Sequence, residues 1–387
     1  MQRIPNPARG IYIHWPFCPY RCFFCPFVAL SGQDEYIPRY HAALNQEIIQ
    51  YAEQQATKEP ISTLFIGGGT PSTWPPNLLL DTFGILKEVI TFSTNHEITL
   101  EVNPGTITEE KISAWIDAGI NRISMGVQSL NEKVLATLNR HHSVNDVHRF
   151  LDVLAQQFSS LSVDLILGLP GVGVTEWQEY IRTVITWPIN HVSVYFLTVH
   201  EDTKLYYGVQ QGQFILPADE TMVDMYLWTI ETLSSAGFVQ YEISNFAKQG
   251  HQSQHNTLYW ERNPYKGFGL GACSFNGTMR TQNEKNLMTY LACIAEKKSP
   301  IVSQETLTQQ QTALEKIMLG IRQTKGLDIE VLAHLLNQSS LQTLEESIKD
   351  LIAADLLVRQ HNQIALTPRG KALENEIVIR FTQNIHY

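Results

Sequence analysis

The sequence contains no uninterrupted run of about 18 apolar residues, the length that a membrane-spanning helix requires. Its first residues, MQRIPNPARG, also lack the apolar stretch of a secretory signal peptide. Lysine and arginine are outnumbered by aspartate and glutamate, 28 against 38, and the formal net charge is -10. No basic stripe that would bind nucleic-acid phosphates is visible. These absences argue against membrane-spanning, secreted and nucleic-acid-binding proteins, and we expect a cytoplasmic protein.

Cysteine is scarce as well, with five residues in a chain of 387. Cys273 and Cys293 stand alone, and we expect them to be buried thiols, since a free cysteine behaves as a small apolar side chain. Cys18, Cys22 and Cys25 instead fall at the spacing C-x3-C-x2-C. Thiols clustered on one tight loop follow the spacing of metal ligands, so this loop predicts one small metal centre. Three unconnected buried thiols are the alternative, which the clustering disfavours.

The missing fourth cysteine defines the kind of metal centre. Structural zinc sites have four protein ligands, and an electron-transfer 4Fe-4S cluster is held by four cysteines. No fourth cysteine follows Cys25 nearby. Three ligands on a 4Fe-4S cluster leave one iron open to a substrate or a cofactor, so the motif predicts a catalytic type of cluster.

Apolar runs and helical patterns alternate over the first 200 residues. The strand patterns cover 11–15, 61–66, 98–102, 122–125, 161–167 and 191–197. The helical patterns cover 36–53, 109–118, 131–138, 144–157 and 175–186. Such alternation predicts βα units in a parallel sheet with right-handed crossovers. Because a closed barrel has eight units, the predicted fold class is α/β, an incomplete (β/α)6 barrel.

Polar or conformationally special residues follow several of these strands. The glycine turn 67–69 precedes Thr70, and glycine lets the backbone approach a ligand closely. Four polar side chains lie at or just past later strands: Glu101, Gln128, Arg140 and Asp164. Any one of them alone is equally well explained as a solvated loop residue. Because ligands collect at the carboxyl ends of parallel strands, their recurrence favours a shared pocket.

The cysteine spacing, with Tyr12 and His14 two residues apart on the preceding strand, resembles the radical SAM superfamily. In that family the open iron is chelated by the amino and carboxylate groups of S-adenosylmethionine. The motifs GGGTPS, EVNPG, RISMGVQS, LNRHH, DLILGLP and YEISNF follow one another as in its branch of heme chaperones and oxygen-independent coproporphyrinogen III oxidases, the HemW and HemN type. The match covers roughly residues 10 to 275.

The resemblance implies a 4Fe-4S cluster on the three cysteines and a bound S-adenosylmethionine. Carried over by motif, it implies these cofactor-binding residues: Tyr12, Gly69, Thr70, Glu101, Gln128, Arg140 and Asp164. The segment 255–260 matches the H-N-x-x-Y-W motif associated with heme binding in the heme-chaperone members. It therefore implies that His255 contributes an axial nitrogen to heme. A packed structural histidine is the alternative reading of His255.

The remaining sequence predicts a second, smaller unit. A helix over 219–236 ends at Gly237, and the glycines of 265–272, YKGFGLGA, predict a tight turn. Helical patterns at 306–323, 326–336 and 341–354 precede two short strands, which resembles a winged helix. We expect a structural or partner-docking lid there. The predicted domains are a radical SAM partial barrel (1–240), a heme-motif and barrel-closing segment (241–300) and a C-terminal winged-helix-like domain (301–387).

Two functions are compatible with these motifs. The first is a heme chaperone that binds heme and transfers it to an acceptor protein. The alternative is an oxygen-independent coproporphyrinogen III oxidase, or another radical SAM enzyme that modifies a tetrapyrrole. Authentic oxidases of the family carry a further cysteine two residues after the third, where this chain has Phe27, so we favour the chaperone. Either function needs an electron donor such as flavodoxin or ferredoxin.

Overall fold

The computed structural model describes residues 8–54 and 59–383. Seventeen strands occur within these ranges: β1 (Gly10–Trp15), β2 (Phe17–Cys18), β3 (Leu30–Ser31), β4 (Ile61–Gly68), β5 (Phe92–Val102), β6 (Arg122–Gln128), β7 (Ser160–Leu167), β8 (His191–Phe196), β9 (Val239–Gln240), β10 (Asn245–Ala247), β11 (Tyr265–Phe268), β12 (Cys273–Phe275), β13 (Met279–Asn283), β14 (Ile301–Thr306), β15 (Leu327–Asp328), β16 (Leu357–Gln360) and β17 (Gln363–Leu366).

Fourteen α-helices occur in the same ranges: α1 (Ile37–Gln54), α2 (Pro76–Val89), α3 (Glu109–Ala118), α4 (Glu132–Thr137), α5 (Val144–Gln157), α6 (Val174–Val184), α7 (Lys204–Gln210), α8 (Asp219–Ser235), α9 (Gln254–Trp260), α10 (Leu287–Ala295), α11 (Gln309–Ile321), α12 (Gln338–Ala353), α13 (Pro368–Ala372) and α14 (Glu374–Thr382). Local sequence features fix where several of these helices begin or end. Ser143 and Asp146 form a capping box at the start of α5, and Gly119, at a φ of 91°, ends α3.

The six predicted parallel strands form the centre of one large sheet. They lie side by side as β1-β4-β5-β6-β7-β8, within a twelve-stranded order β14-β13-β12-β11-β1-β4-β5-β6-β7-β8-β10-β9. In this order β14 and β9 stand at opposite edges, so the sheet stays open. The predicted incomplete α/β barrel is therefore confirmed. Because side chains alternate between the two faces of a strand, Tyr12 and His14 point opposite to Ile11, Ile13 and Trp15.

Three local predictions are wrong in part. Residues 265–268 form strand β11, parallel to β1, where only a turn was expected; the turn follows at Gly269, whose φ is 95°. The predicted helix over 326–336 is instead the short strand β15 and a 3-10 turn, Ile329–Leu332, capped by the Asp328 side chain. Gly326, at a φ of 76°, turns the chain away from helical geometry there. Cys273 and Cys293 are half-buried.

Two apolar cores lie in the described residues. The larger one packs the sheet against its helices, and in it Trp15 stacks on Trp74 with ring centroids 4.4 Å apart. The smaller one, around Ile317 and Ile348, lies beneath the antiparallel sheet β15-β17-β16. The two strands predicted in the C-terminal region are confirmed as β16 and β17. The division of the chain at 240 and 300 stays a prediction.

None of the helices in the described ranges combines the length and the apolar character that a membrane crossing requires.

Candidate cluster and cofactor site

The three cysteines lie on the loop that follows β1, at the carboxyl end of the parallel strands. Cys18 is in β2 and is buried, whereas Cys22 and Cys25 are half-buried. Burial, with smaller contributions from the neighbouring Cys25 and Cys22, raises the pKa of the Cys18 thiol to about 11. The structure therefore brings the three predicted ligands together at one site.

The spacing of these thiols differs from that of a single-ion site. Among the residues that the structure describes, no three cysteine, histidine, aspartate or glutamate side chains are grouped closely enough to hold one metal ion. In a 4Fe-4S cluster each cysteine binds a different iron, so the thiolates stand farther apart than those around one ion. Binding of a 4Fe-4S cluster by Cys18, Cys22 and Cys25 stays a prediction.

Arg21, which the sequence analysis missed, organises the loop from its outer side. Its guanidinium donates to the carbonyl oxygens of Ala29 (3.0 Å), Phe27 (3.2 Å) and Cys25 (3.3 Å). Three bonds from one planar cation hold the segment from Cys25 to Ala29 against the part of the loop that carries Arg21. The only sequence signal was an arginine between the first two cysteines.

Replacing Arg21 by methionine is therefore expected to loosen the cluster without unfolding the protein. The carbonyl oxygens of the loop would turn to water, because the side chain is at the surface. We expect the reconstituted variant to lose iron to a chelator severalfold faster than the wild type, measured by the decay of the cluster absorbance. Arg39→Met, at another exposed arginine, is the control. Equal rates in all three proteins would contradict this role for Arg21.

Arg140 faces the loop from the inner side. Its Nη1 donates to the Cys22 Sγ at 3.6 Å, and Nη2 donates to the carbonyl oxygen of Gly126. Its positive charge also lowers the pKa of the Cys18 and Cys25 thiols, against the larger raising effect of burial. Arg140 therefore favours the thiolate form at the cluster ligands, which is the form that binds metal.

Two residues near the cluster loop adopt a left-handed backbone, which is uncommon for a residue other than glycine. Gln128 has a φ of 67° and Asn139 a φ of 58°. The Asn139 side chain donates to the carbonyl oxygen of Arg21 at 2.9 Å, and so ties the segment before Arg140 to the cluster loop. Such strained positions concentrate at functional sites.

The glycine turn after β4 supports the cluster loop directly. The Gly69 amide donates to the Trp15 carbonyl at 2.8 Å, and the Thr70 hydroxyl donates to the Cys18 Sγ at 3.2 Å. A Cβ at Gly69 would lie 2.4 Å from the Pro16 carbonyl oxygen and 2.9 Å from the Cys18 Sγ. The close approach that these glycines permit is thus an approach to the cysteine loop. Ligand contacts of Gly69 and Thr70 stay a prediction.

A buried histidine joins β1 to the end of the loop. Burial lowers the pKa of His14 to about 4, so its ring is neutral near pH 7. Its Nε2 lies 2.8 Å from the Val28 carbonyl and its Nδ1 lies 3.0 Å from the Tyr12 hydroxyl. Since a carbonyl only accepts, Nε2 carries the proton and Tyr12 donates to Nδ1. These two contacts fix the position of the Tyr12 phenol, which lines a cavity inside the strands.

A cavity of about 210 Å³ lies inside the strands, lined by residues of β1, β4, β5, β6, β7, β8 and α9. Four of the predicted cofactor-binding residues line it: Tyr12, Glu101, Asp164 and His255. The other lining residues were not singled out in the sequence: Phe65, Arg122, Ser124, Ser193, Tyr195, Asn256 and Tyr259. The remaining four, Gly69, Thr70, Gln128 and Arg140, do not line it. The Gly68 amide, which donates to Glu101 at 3.3 Å, connects the glycine turn to the cavity.

The two carboxyl groups of the cavity are held differently. Burial, with a smaller contribution from the nearby Asp164, raises the pKa of Glu101 to about 8, so Glu101 is largely protonated at pH 7. Burial also raises the pKa of Asp164, but hydroxyl groups oppose this shift. Ser124 donates to Asp164 at 2.9 Å and Ser162 at 3.4 Å. Asp164 is thus supplied with donors from its own and neighbouring strands.

His255 lies deep in the wall of this cavity. Its side chain is fully buried; Nδ1 is 2.7 Å from the Thr63 hydroxyl and Nε2 is 2.8 Å from the Tyr259 hydroxyl. Phe65 stacks on the ring at 5.2 Å between centroids. Both nitrogens are therefore engaged, and this arrangement resembles the packed histidine that was the alternative reading. The predicted heme contact of His255 stays a prediction.

The burial of His255 predicts a definite acid dependence of stability. Burial, and to a smaller extent Arg122, lowers its pKa to about 3. Below the unfolded value of about 6.5 the unfolded chain binds the proton first, so the free energy of unfolding falls as pH falls toward 3. Between pH 7 and pH 5, we expect the free energy of unfolding of His255→Gln to fall by about 2 kcal/mol less than that of the wild type, measured by urea unfolding at both pH values. Identical losses would contradict this account.

The other side of helix α9 contacts the C-terminal unit. The Arg322 guanidinium lies over the Trp260 ring at 4.6 Å, and the Gln323 side chain donates to the Trp260 carbonyl at 3.3 Å. Arg322 also donates to the fully buried Glu242 at 3.0 Å. The H-N-x-x-Y-W segment therefore lies between the cavity and the C-terminal unit.

Comparisons with known proteins agree with this fold and site. The family model of the radical SAM superfamily matches residues 12–184, and that of the HemN C-terminal domain matches residues 307–373. A heme chaperone HemW of Bacillus subtilis (strain 168) is 33% identical over 95% of this chain and 98% of its own length. A heme chaperone HemW of Synechocystis sp. (strain ATCC 27184 / PCC 6803 / Kazusa) is 34% identical over 82% of this chain and 78% of its own.

Coproporphyrinogen III oxidase (HemN) from Escherichia coli, described as a radical SAM enzyme, has a similar fold, with a TM-score of 0.84. That likeness covers 98% of this chain and 91% of the other at 22% identity, so it shows the fold alone. The open barrel and the three-cysteine loop are those of a radical SAM protein. Within that superfamily, the chain belongs to the HemW family. Membership implies a 4Fe-4S cluster and S-adenosylmethionine as cofactors.

Proposed function

We propose that this protein is a cytoplasmic heme chaperone, which binds heme and delivers it to an acceptor protein. The observation that carries the proposal is the 33% identity to a heme chaperone HemW over nearly the full length of both chains. The position of Phe27 supports it, because the oxidases of the branch carry a cysteine there. The acidic net charge of -10 gives no support to a nucleic-acid substrate.

Cys18, Cys22 and Cys25 would hold the 4Fe-4S cluster, and Gln128 and Arg140 lie on the same side of the site. When bound, such a cluster would supply one electron to S-adenosylmethionine. Arg140 favours the thiolate form of Cys18 and Cys25 against the effect of burial. Arg21 would hold the segment that follows Cys25, and the glycine turn would hold the loop against β1. An external reductant, such as flavodoxin or ferredoxin, is part of this proposal.

The heme macrocycle would lie outside the interior cavity. A volume of about 210 Å³ is below the roughly 300–1,000 Å³ of pockets that enclose a drug-sized ligand. For His255 to reach a heme iron, Thr63 or Tyr259 would first have to release its ring. The loss of one of these two hydrogen bonds is therefore part of any heme ligation by His255.

A transfer experiment tests the proposal. The anaerobically reconstituted protein is titrated with hemin, the complex is isolated, and a heme-free acceptor such as apomyoglobin is added. We expect a saturable Soret change and then movement of the heme to the acceptor faster than its release into buffer. His255→Ala, with the exposed His200→Ala as control, shows whether His255 ligates the iron, through the Soret position. Wild-type protein without saturable hemin binding would contradict the proposed function.

A further inference from the structure

A buried arginine in the cavity wall makes no direct contact with the acidic side chains around it. Arg122 is 3% exposed, no hydrogen bond or ion pair within 4 Å joins its side chain to a described residue, and its Nε is buried without a hydrogen-bond partner. Its charge lowers the pKa of Glu101 and of Asp164 without such a contact, against the larger raising effect of burial. Guanidinium groups stay charged at any pH at which the protein is folded. A buried charge without a partner is strongly unfavourable, so such a group is normally explained by a ligand, an ion or ordered water.

The surroundings of Arg122 point to an anion rather than a neutral ligand. Asp164 is already supplied by Ser124 and Ser162, and no atom of it lies within 4 Å of a described arginine nitrogen. Glu101 has a single described donor, the amide of Gly68. Arg122 therefore interacts with these two carboxyl groups only at longer range, and its Nη atoms have no described hydrogen bond that would compete with a ligand.

A second buried group without a partner lies beside it. The fully buried Thr99 stands opposite Arg122 in the register of β5 and β6, and its hydroxyl also lacks a hydrogen bond within the described residues. Thr99 does not line the cavity, so a ligand there would contact Arg122 and not the Thr99 hydroxyl. A planar anion with two oxygens matches the fork of a guanidinium.

We propose that Arg122 binds a carboxylate of a ligand that enters this cavity. Its chemical class is an organic carboxylate, and the proposed function offers two sources: a propionate arm of heme, or the carboxylate of S-adenosylmethionine. The propionate is favoured, because the family resemblance places the S-adenosylmethionine carboxylate on the open iron. A cavity of 210 Å³ has room for such an arm while the macrocycle stays outside. The choice of a heme propionate as the bound carboxylate rests on the proposed function.

The test compares ligands with and without the carboxylate. The reconstituted wild type and Arg122→Gln are titrated with hemin, with hemin dimethyl ester, whose propionates are esterified, and with S-adenosylmethionine. We expect Arg122→Gln to bind hemin about 30-fold more weakly than wild type, and the dimethyl ester equally well. Arg149→Gln, at an exposed arginine of α5, is the matched control and should bind all three as wild type does.

Each outcome is decisive. Weakened S-adenosylmethionine binding with unchanged hemin binding would assign the carboxylate to that cofactor. Unchanged binding of all three ligands would overturn the proposal and leave water in the cavity. Wild-type protein that does not bind hemin would refute the proposed function, and the S-adenosylmethionine titration would then decide the role of Arg122. If Arg122→Gln does not fold, Arg122→Lys replaces it in the test. Lysine keeps the positive charge but loses the two-pronged guanidinium, so this variant should prefer hemin over its dimethyl ester less strongly than the wild type does.

Discussion

Replacing Cys18, Cys22 and Cys25 together by alanine is expected to remove nearly all cluster iron and acid-labile sulfide after anaerobic reconstitution. The three thiols lie on one loop, and the structure offers no other cysteine beside them in the described residues. An iron-sulfur cluster bound by fewer than three protein thiolates would be readily lost. Iron and sulfide analysis, with the absorbance of the cluster, measures the effect.

The matched control uses the two other cysteines. Cys273 and Cys293 are half-buried and outside the loop. The double variant Cys273→Ala, Cys293→Ala should therefore keep the full iron and sulfide content. A triple variant that retained wild-type iron and sulfide, or a double variant that lost them, would show that the cluster ligands are misassigned.

Gly69→Ala is expected to impair the cluster almost as severely, although it removes no ligand. The added Cβ would meet the Pro16 carbonyl oxygen at 2.4 Å and the Cys18 Sγ at 2.9 Å. The carbonyl belongs to the backbone and cannot swing aside, so the loop must move away from β4. Overpacking of this kind costs roughly 1–3 kcal/mol, and the displaced Cys18 would misplace one ligand. We expect less than half of the wild-type iron after reconstitution.

Gly84→Ala provides the control for this change. Gly84 lies within α2, and a Cβ there would meet no atom within 4 Å. Alanine in a helix is favoured over glycine by about 0.5–1 kcal/mol. This variant should therefore keep its cluster and unfold at a slightly higher urea concentration than the wild type. A Gly69→Ala protein with normal iron content would mean that the loop adapts to the added methyl group.

The sequence predicted the main architecture because the relevant signals are local. Alternating apolar runs place the six parallel strands, and the same spacing places Glu101 and Asp164 at one cavity. Strand β11 was missed, because Gly267 and Gly269 interrupt its apolar pattern and its pairing with β1 joins residues more than 250 positions apart. Long-range pairing of that kind leaves no trace in a local window.

The candidate site shows the same limit. The cysteine ligands follow from their spacing, whereas Arg21 and Arg122 look like ordinary arginines in the sequence. Arg21 acquires its role from three carbonyl groups of a folded loop, and Arg122 from being buried in a cavity wall with no described hydrogen bond. His255 was singled out by a motif, but only the structure shows that Thr63 and Tyr259 hold its ring. These properties depend on tertiary contacts.

The most direct test of the central claim is an anaerobic incubation of the reconstituted protein with dithionite, S-adenosylmethionine and either heme or coproporphyrinogen III. Chromatography then identifies both the nucleoside and the tetrapyrrole products. A heme chaperone should return the heme unaltered and leave coproporphyrinogen III undecarboxylated, whatever slow release of 5'-deoxyadenosine occurs. Decarboxylated porphyrinogen or modified heme, formed in proportion to 5'-deoxyadenosine, would contradict the chaperone assignment and make this protein a tetrapyrrole-modifying enzyme.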